Sequence, residues 1–401
     1  MHSPIFRMAL MLGLLSAIGP FSIDMYLPAM PRIAEDLGTT ETRVQMTISL
    51  YFLAFGVAQF LWGPIADAYG RKLPLILGVS LFAIASLACA AAPTIEWLIA
   101  ARFVQGIGGA AVGVVPRAVI RDRYTGLEAT RLMALVMLVI SIGPMLAPLI
   151  GSMLLLLGSW RLVFVALLLV AAMSLAITTF ALPEKLAREN RVPIHLRTMA
   201  AGVRRLLGSG SFLGLTMVGA FGFGSFFVFI SSASFVYQDS FGLSEIQFSL
   251  AFALNALGFF AASQAAAPLG GRFGMVRVMR LALWGFLAAN ALLLTLTLAG
   301  LGTLPVIMAL LFVANANLGL VMPATFVMAL EEHGDIAGLA SSLGGTLQMV
   351  TGTLLVALSA PFFDGTPLPM VATIFVCAAA AFGIGQWVLA RPQSLAPAAA
   401  E

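Results

Sequence analysis

Long apolar runs alternate with short polar segments along almost the whole chain. A helix needs about 20 apolar residues to cross the ~30 Å hydrocarbon core of a bilayer, and runs of this length recur throughout the sequence. The pattern therefore predicts an all-α integral membrane protein with about twelve transmembrane helices. We place the spans at 8–28, 43–63, 74–92, 97–119, 132–156, 160–181, 211–236, 247–268, 277–299, 304–329, 338–361 and 368–390.

A long polar segment at 182–210 divides these spans into two sets of six. Its basic residues are Lys185, Arg188, Arg191, Arg197, Arg204 and Arg205. We therefore expect three parts: an N-terminal six-helix bundle at 1–182, a basic cytoplasmic connector at 183–210, and a C-terminal six-helix bundle at 211–401.

The two halves carry related loops. GPIADAYGRK at 63–72 follows the second span, and PLGGRFGMVR at 268–277 follows the eighth. Chance similarity of two glycine-rich loops is one explanation, but the matching ordinal position favours duplication. Internal repeats of this kind are typical of secondary transporters, whose binding sites lie near the membrane midplane between the repeats.

Basic residues are distributed unevenly between the two ends of the predicted bundle. The connections after even-numbered spans hold most of the 21 lysines and arginines. The opposite side has Arg32, Arg43 and Arg161, and Arg102 lies within a span. The positive-inside rule therefore predicts that both termini are cytoplasmic. The same placement explains the net charge of +4, so the charge does not imply a nucleic-acid partner.

The composition reinforces the membrane prediction and gives no sign of an enzyme. The chain is 61% hydrophobic and 9% charged, with a mean hydropathy of +1.03. Cys89 and Cys377 lie in apolar runs, and His2, His195 and His333 lack ligand spacing, so we expect neither a disulfide framework nor a metal site. GIGG at 106–109 lies inside an apolar run, where it is weak as a nucleotide motif. The first apolar run is long enough to span, so we expect it to be retained.

Asp24 is the most unusual residue of the first span. It shares a helical face with Gly13, Ala17 and Pro20, and an acid in a transmembrane helix nearly always faces a bundle interior or a water-filled cavity. Alternatively, Asp24 caps or anchors the turn that follows it. We expect YLPAMP at 26–31 to be that turn, ending the helix at the outer surface.

Arg102, in the fourth span, is a candidate partner for Asp24. It heads a stripe with Gln105 and Gly109, and both charges lie ~6–8 Å below the same surface at 1.5 Å per residue. An isolated buried charge is costly, so we expect the two to interact directly or through water. The alternative is that the stripe is a packing seam.

Further candidates for a substrate pocket come from the second half. Phe227 and Phe235 could contact apolar or cationic compounds, although phenylalanines also face lipid. Asn255 and Gln348 are uncharged polar groups that could line a pocket or bond between helices. Together with Asp24, Arg102 and Gln105, they complete the predicted substrate-binding set.

Further segments have features expected of regions that change conformation during transport. Gly63 and Gly70 permit a tight cytoplasmic turn that Arg71 and Lys72 anchor. Asp67 can bond to a helix N-terminus or pair with Arg121, and together these features indicate a conformational latch.

The fifth span presents a smooth, kinkable face that is either a sliding surface between bundles or ordinary packing. Its residues are Gly143, Pro144, Ala147, Pro148 and Gly151. The eleventh span has a comparable face at Gly338, Ser341, Gly345, Gln348 and Gly352.

These motifs resemble the major facilitator superfamily. GPIADAYGRK is similar to its loop 2–3 signature, and RFVQGIGGAAVG at 102–113 is similar to its arginine-containing fourth-span motif. SIGPMLAPLIG at 141–151 resembles the motif of drug:proton antiporters. DMYLPAMP at 24–31 and RAVIRD at 117–122 resemble Bcr/CflA-type multidrug efflux transporters in particular.

The resemblance implies two six-helix bundles, alternating access, and export of amphipathic compounds in exchange for protons. No cofactor is implied beyond the proton as coupling ion, and no enzyme activity. We expect a monomer in the bacterial inner membrane. Our hypothesis is that protonation of Asp24 and substrate binding are mutually disfavoured. The alternatives are a narrow-specificity metabolite exporter or importer of the same fold and, less favoured, a receptor or assembly protein without transport.

Overall fold

The computed structural model describes residues 4–124, 126–182, 191 and 196–390, which are almost entirely helical. The α-helices are α1 (Pro4–Asp24), α2 (Met30–Asp36), α3 (Glu41–Tyr69), α4 (Lys72–Ala90), α5 (Ile95–Arg123), α6 (Gly126–Leu157), α7 (Arg161–Ala176), α8 (Leu196–Gly208), α9 (Gly210–Phe235), α10 (Glu245–Phe273), α11 (Met275–Leu298), α12 (Leu304–Glu331), α13 (Ala337–Ser359) and α14 (Pro367–Leu389). Short 3₁₀ turns lie at Leu27–Ala29, Gly334–Ile336 and Ala360–Phe362, and π-helical turns extend α7 and α9 at Ile177–Ala181 and Val236–Ser240.

Twelve segments of the described chain are long and apolar enough to cross a membrane, which confirms the predicted number of spans. The first continues from α1 through α2, and the others are α3–α7 and α9–α14. The first span therefore reaches Asp36 instead of the predicted residue 28, because the chain re-enters a helix after the 3₁₀ turn.

The repeated loops end their helices in the same way. Helices α3 and α10 continue past the predicted span ends, and each stops at a glycine with positive φ: Gly70 at 94° and Gly274 at 86°. Residues other than glycine rarely adopt this conformation. Gly63 therefore lies inside α3, and the predicted tight turn depends on Gly70 alone.

Most helix packing occurs within each half of the chain. In the first half α1 packs on α6, and α5 packs on α3 and α4; in the second half α9 packs on α13 and α14, and α12 packs on α10 and α11. Two large contacts join the halves: α3 with α13, and α6 with α10.

Glycines bring α4 and α5 into close backbone contact. A β-carbon at Gly108 would lie 2.5 Å from Phe82 N and 2.6 Å from Gly78 O, and one at Gly106 would meet the Tyr51 carbonyl of α3. These positions have no room for a side chain, so α3, α4 and α5 form a tightly packed group.

The last part of the predicted connector is the helix α8, which packs against the second half. Leu206 is buried, and Gly202 lies against the side-chain methyl of Leu339 in α13. Arg205 forms an ion pair with Asp335. Two stretches of the predicted connector, 183–190 and 192–195, lie outside the described residues. They include two of its predicted cations, Lys185 and Arg188.

The two ends of the bundle differ in charge, and we name them accordingly. The arginine-rich end contains the α3–α4 and α10–α11 connections and the start of α13, with Arg71 and Arg277 among its residues. The arginine-poor end contains the connections at 37–40, 91–94, 158–160, 241–244, 299–303 and 363–366.

Candidate functional site

Arg102 lies at the centre of a buried polar group in the first half. Its side chain is fully buried, and Nη1 donates to the Ser22 carbonyl at 3.0 Å and to Gln105 Oε1 at 2.6 Å. Gln105 Nε2 in turn donates to Ser86 Oγ at 2.8 Å. The i, i+3 spacing of Arg102 and Gln105 on α5 puts both on one face. Gln105 therefore positions the guanidinium and does not line an open pocket.

Two tyrosine rings cover the guanidinium. Arg102 Cζ lies 4.7 Å from the Tyr26 ring centroid and 4.4 Å from that of Tyr51, distances at which cation–π attraction is favourable. Ser22 Oγ donates to the Gly19 carbonyl at 2.8 Å, so the Tyr51 hydroxyl must donate to Ser22 Oγ across 2.5 Å. By the same reasoning Tyr26 donates to Thr47. We call Ser22, Tyr26, Tyr51, Arg102 and Gln105 the Arg102 cluster.

We expected Asp24 and Arg102 to interact directly or through water, and the direct pair is not formed in this structure. Nη1 of Arg102 is engaged by Ser22 and Gln105, and its other nitrogens, Nε and Nη2, have no partner among the described residues. Asp24 ends α1 with 4% of its surface exposed, and no hydrogen bond or ion pair to its carboxylate is found in the described part of the chain.

The segment after Asp24 is buried, contrary to the expected turn at the outer surface. Tyr26, Leu27, Ala29 and Met30 are 0% exposed. The chain continues here through a 3₁₀ turn into α2, and residues of the other half cover it. The alternative in which Asp24 caps this turn is not seen, because its side chain makes no capping bond.

Side chains of the second half hold this turn. Ser234 Oγ donates to the Leu27 carbonyl at 2.6 Å, and Gln238 Nε2 donates to the Pro28 carbonyl at 3.3 Å. Gln238 also donates to Ser234 Oγ at 2.8 Å. The end of α1 is thus tied to the end of α9.

Further contacts join the halves between the arginine-poor end and the middle of the bundle. Arg32 forms an ion pair with Glu245 at 2.7 Å, and Ser152 Oγ lies 2.7 Å from Ser249 Oγ. Nearer the middle, the Phe52 and Phe227 rings stack with centroids 3.9 Å apart.

The remaining predicted pocket residues lie in separate places. Phe227 stacks across the interface between the halves, and Phe235 is fully buried beside Phe363. Asn255 accepts a hydrogen bond from Asn315 at 3.4 Å, which is the interhelical bonding given as its alternative. Gln348 lines a small cavity within the second half, together with Phe212, Thr216 and Thr325. This conformation does not gather them into one pocket.

The predicted latch uses a partner that the sequence did not single out. Arg71 donates to Asp67 at 2.6 Å and to Asp122 at 2.7 Å. Asp67 therefore pairs with Arg71, and the side chain of Arg121, its predicted partner, lies outside the described residues. Burial lowers the pKa of Arg71, but the hydrogen bonds to Asp122 and Asp67 outweigh it, and the net change is upward. Lys72 donates to the Thr179 carbonyl at 2.6 Å. In the sequence, Asp122 stands out only as the last residue of the RAVIRD motif, and nothing there marks it as the partner of Arg71.

The glycine and proline face of α6 packs inside its own half. A β-carbon at Gly143 would lie 3.0 Å from Pro20 Cβ, and one at Gly151 would meet the Met25 carbonyl. Pro144, Ala147 and Pro148 are also buried. The predicted sliding surface between halves is therefore wrong for Gly143 and Gly151, which contact α1 and the residue after it.

The corresponding face of α13 does contact the other half. Thr346 Oγ1 donates to the Gly56 carbonyl of α3 at 2.8 Å, and a β-carbon at Gly345 would lie 3.4 Å from Gln59 Oε1.

No group of three His, Cys, Asp or Glu side chains within the described ranges is placed to hold a metal ion. Cys89 and Cys377 are both free and buried.

Comparison with known proteins places this architecture in a family. The Major Facilitator Superfamily model matches residues 12–355. The Bacillus subtilis protein named uncharacterized MFS-type transporter YdgK is 35% identical over 373 residues, covering 92% of each chain. The Haemophilus influenzae bicyclomycin resistance protein homolog is 32% identical over 373 residues, covering 93% of each.

A solved structure shows the same fold. The xylose transporter XylE from E. coli superposes with a TM-score of 0.73 at 14% identity, covering 96% of this chain and 98% of that one. The chain belongs to the Major Facilitator Superfamily. It is thus a multi-pass membrane transporter of small molecules, as predicted, and not an enzyme.

Proposed function

We propose that this transporter is a proton-coupled antiporter that exports amphipathic organic compounds from the cytoplasm by alternating access. The name of the Haemophilus influenzae relative, a bicyclomycin resistance protein homolog, supports drug export. The DMYLPAMP and RAVIRD motifs support the Bcr/CflA-type subgroup.

The observation that carries the proposal is the unpartnered, buried carboxyl group of Asp24. A charged carboxylate without a partner in a membrane interior is costly, and binding a proton removes that charge. Asp24 is also the last residue of α1, three residues before the Leu27 carbonyl that Ser234 holds. Its protonation state is therefore placed to affect the contact between the halves.

Arg102 supplies the second part of the proposed mechanism. Its Nε and Nη2 have no partner among the described residues, so a rearrangement of α1 against α5 could offer them to a deprotonated Asp24. In this scheme Asp24 binds either a proton or a charged group, and substrate binding favours release of the proton. Each net charge moved supplies ~2.3 kcal/mol per 100 mV, enough to change a concentration ratio more than tenfold.

We also propose the orientation of the molecule. The positive-inside rule puts the arginine-rich end and both termini in the cytoplasm of a bacterial inner membrane. The hydrogen bonds and the ion pair between the halves run from the arginine-poor end to the Thr346–Gly56 bond near the middle, as in a conformation that gives access from the cytoplasm. We expect the protein to work as a monomer.

The test is proton-driven transport of a neutral amphipathic compound into inverted vesicles, with expression levels matched. Wild type should accumulate the compound, and Asp24→Asn should lose the dependence on the proton gradient. Asp364→Asn is the control, because among the described residues Asp364 bonds within its own loop, to Thr366. Full proton-driven transport by Asp24→Asn would contradict the proposal.

A chemically diverse substrate panel in the same vesicles tests breadth. Transport of several unrelated compounds supports a multidrug exporter. Transport of one metabolite alone would indicate the narrow-specificity alternative instead.

A further inference from the structure

Arg117 of α5 is a cation within a membrane span that the proposed mechanism does not use. Its side chain is exposed, and it makes no hydrogen bond or ion pair with the described residues. An arginine at this depth is by default a candidate for a functional group.

The packing of α5 shows which way Arg117 faces. A β-carbon at Gly113 would lie 3.1 Å from Phe55 Cζ and 3.9 Å from Gln59 Nε2, both on α3. Residues four apart share a helix face. Arg117 therefore faces α3 as well, one turn closer to the arginine-rich end.

Gln59 lies where three helices from both halves meet. It faces Gly113 of α5 on one side, and its Oε1 would lie 3.4 Å from a β-carbon at Gly345 of α13 on the other. Gln59 is half-buried and its amide has no hydrogen-bond partner among the described residues. An accessible, unsatisfied amide beside an unpaired guanidinium is a donor set for an anion.

Gly63 leaves open space next to this donor set. It lies one turn from Gln59 on α3, and the nearest atom to a β-carbon there would be Val114 Cγ1 at 4.0 Å. A glycine in a helix interior costs about 1 kcal/mol relative to alanine, and no close packing at this position requires one. The absence of a side chain at Gly63 leaves room for a ligand beside α5.

We infer that Arg117 and Gln59 form a subsite for the anionic group of an amphipathic organic compound. The inference rests on the proposed export function and adds a substrate class to it, amphipathic carboxylates and sulfonates. The guanidinium fork matches such a group bidentately, Gln59 can donate a further hydrogen bond, and Phe55 and Val114 provide apolar contact. The subsite lies about 22 Å along α5 from Arg102, on the arginine-rich side.

The test compares two probes that differ by one sulfonate, 8-anilinonaphthalene-1-sulfonate and neutral N-phenyl-1-naphthylamine. Their equilibrium binding to the purified full-length protein is measured with radiolabelled probes in detergent, without a proton gradient. Arg117→Gln should weaken binding of the sulfonate by about ten- to a hundredfold and change binding of the neutral probe by less than about twofold. Gln59→Leu should weaken sulfonate binding by a smaller factor.

Arg272→Gln is the matched control, because it removes an equal charge from an exposed position at the same end. It should leave both probes unaffected, and unchanged neutral-probe binding shows that each variant is folded. Equal loss of both probes in Arg117→Gln, no loss of the sulfonate, or an equal loss in Arg272→Gln would overturn the subsite. Because binding is measured without a gradient, failure here is distinct from failure of proton-coupled transport.

Discussion

Ser234 Oγ donates a hydrogen bond to the carbonyl oxygen of Leu27 at 2.6 Å, and this bond ties α9 of the second half to the chain three residues after Asp24. The candidate proton-binding residue is therefore separated by a single turn of backbone from a contact between the halves. Any change at the end of α1 that displaces Leu27 also strains this contact.

Removing this hydroxyl should shift the protein toward a conformation open at the arginine-poor end. Ser234→Ala removes one of the two donors to the buried Leu27 carbonyl, which keeps its bond from the Met30 N–H, at a cost of about 1 kcal/mol to the closed state. Spin labels can be placed at the exposed positions Leu157 and Leu301, one in each half. Double electron–electron resonance should then show a larger fraction of long distances between the two labels. Ser359→Ala is the control, since Ser359 bonds only within its own half, to Val356. An unchanged distance distribution in Ser234→Ala would contradict a gating role.

The ion pair between Arg32 and Glu245 should act on the same equilibrium. Arg32→Glu replaces the 2.7 Å ion pair with two like charges on facing helices, so it should open the arginine-poor end. The swap Arg32→Glu with Glu245→Arg should restore the distance distribution of the wild type. Because these side chains are partly exposed, the coupling should be about 1 kcal/mol or less and weaken with salt. Failure of the swap to restore closure would show that the two residues act independently.

Replacement of Arg102 should destabilise the first half. Arg102→Gln removes the donor to the buried Ser22 carbonyl and the cation between the Tyr26 and Tyr51 rings, and we expect a loss of about 1–3 kcal/mol in the free energy of unfolding. Arg43→Gln breaks only an exposed ion pair with Glu96 and should cost less than about 1 kcal/mol. Denaturant unfolding in detergent measures both. Equal stability of the two variants would contradict a structural role of the Arg102 cluster.

Gly108 should not tolerate a side chain. Gly108→Ala forces a β-carbon to within 2.5 Å of Phe82 N, so α4 and α5 must separate, at a cost of about 1–3 kcal/mol or more. Gly19→Ala is the matched control, since nothing lies within 4 Å of its β-carbon position. It should be neutral or slightly stabilising because alanine favours helices. Thermal denaturation of both variants, with yield of folded protein, tests the difference.

The sequence predicted the helices of this fold better than it predicted which helices and side chains contact one another. Twelve spans follow from apolar runs alone, and Gly70 and Gly274 end their helices where the repeated loops predicted a turn. The position of a charge along a helix, however, does not show its rotational neighbours. Arg102 lies at the predicted depth but bonds to a backbone carbonyl and two tyrosine rings, and no motif encodes that choice.

The same reason explains the other differences. The smooth face of α6 was visible in its glycine and proline spacing, but only the packed structure shows that it contacts α1 and not the second half. Arg117 and Gln59 have no distinctive spacing relative to each other, and the parallel register of α3 and α5 alone brings them to adjacent turns.

The glycine contacts that join α3, α4 and α5 give the first half a mechanical property. Helices whose backbones touch cannot slide or bend separately, so this group rotates as one lever. Arg102 lies near one end of α5 and Asp122, the partner of Arg71, lies about 30 Å away near the other. A rotation of about ten degrees around Arg102 would displace the Arg71–Asp122 pair by about 5 Å over that arm. Through this lever a rearrangement of α5 at the end beside Asp24 would move the opposite end of the bundle.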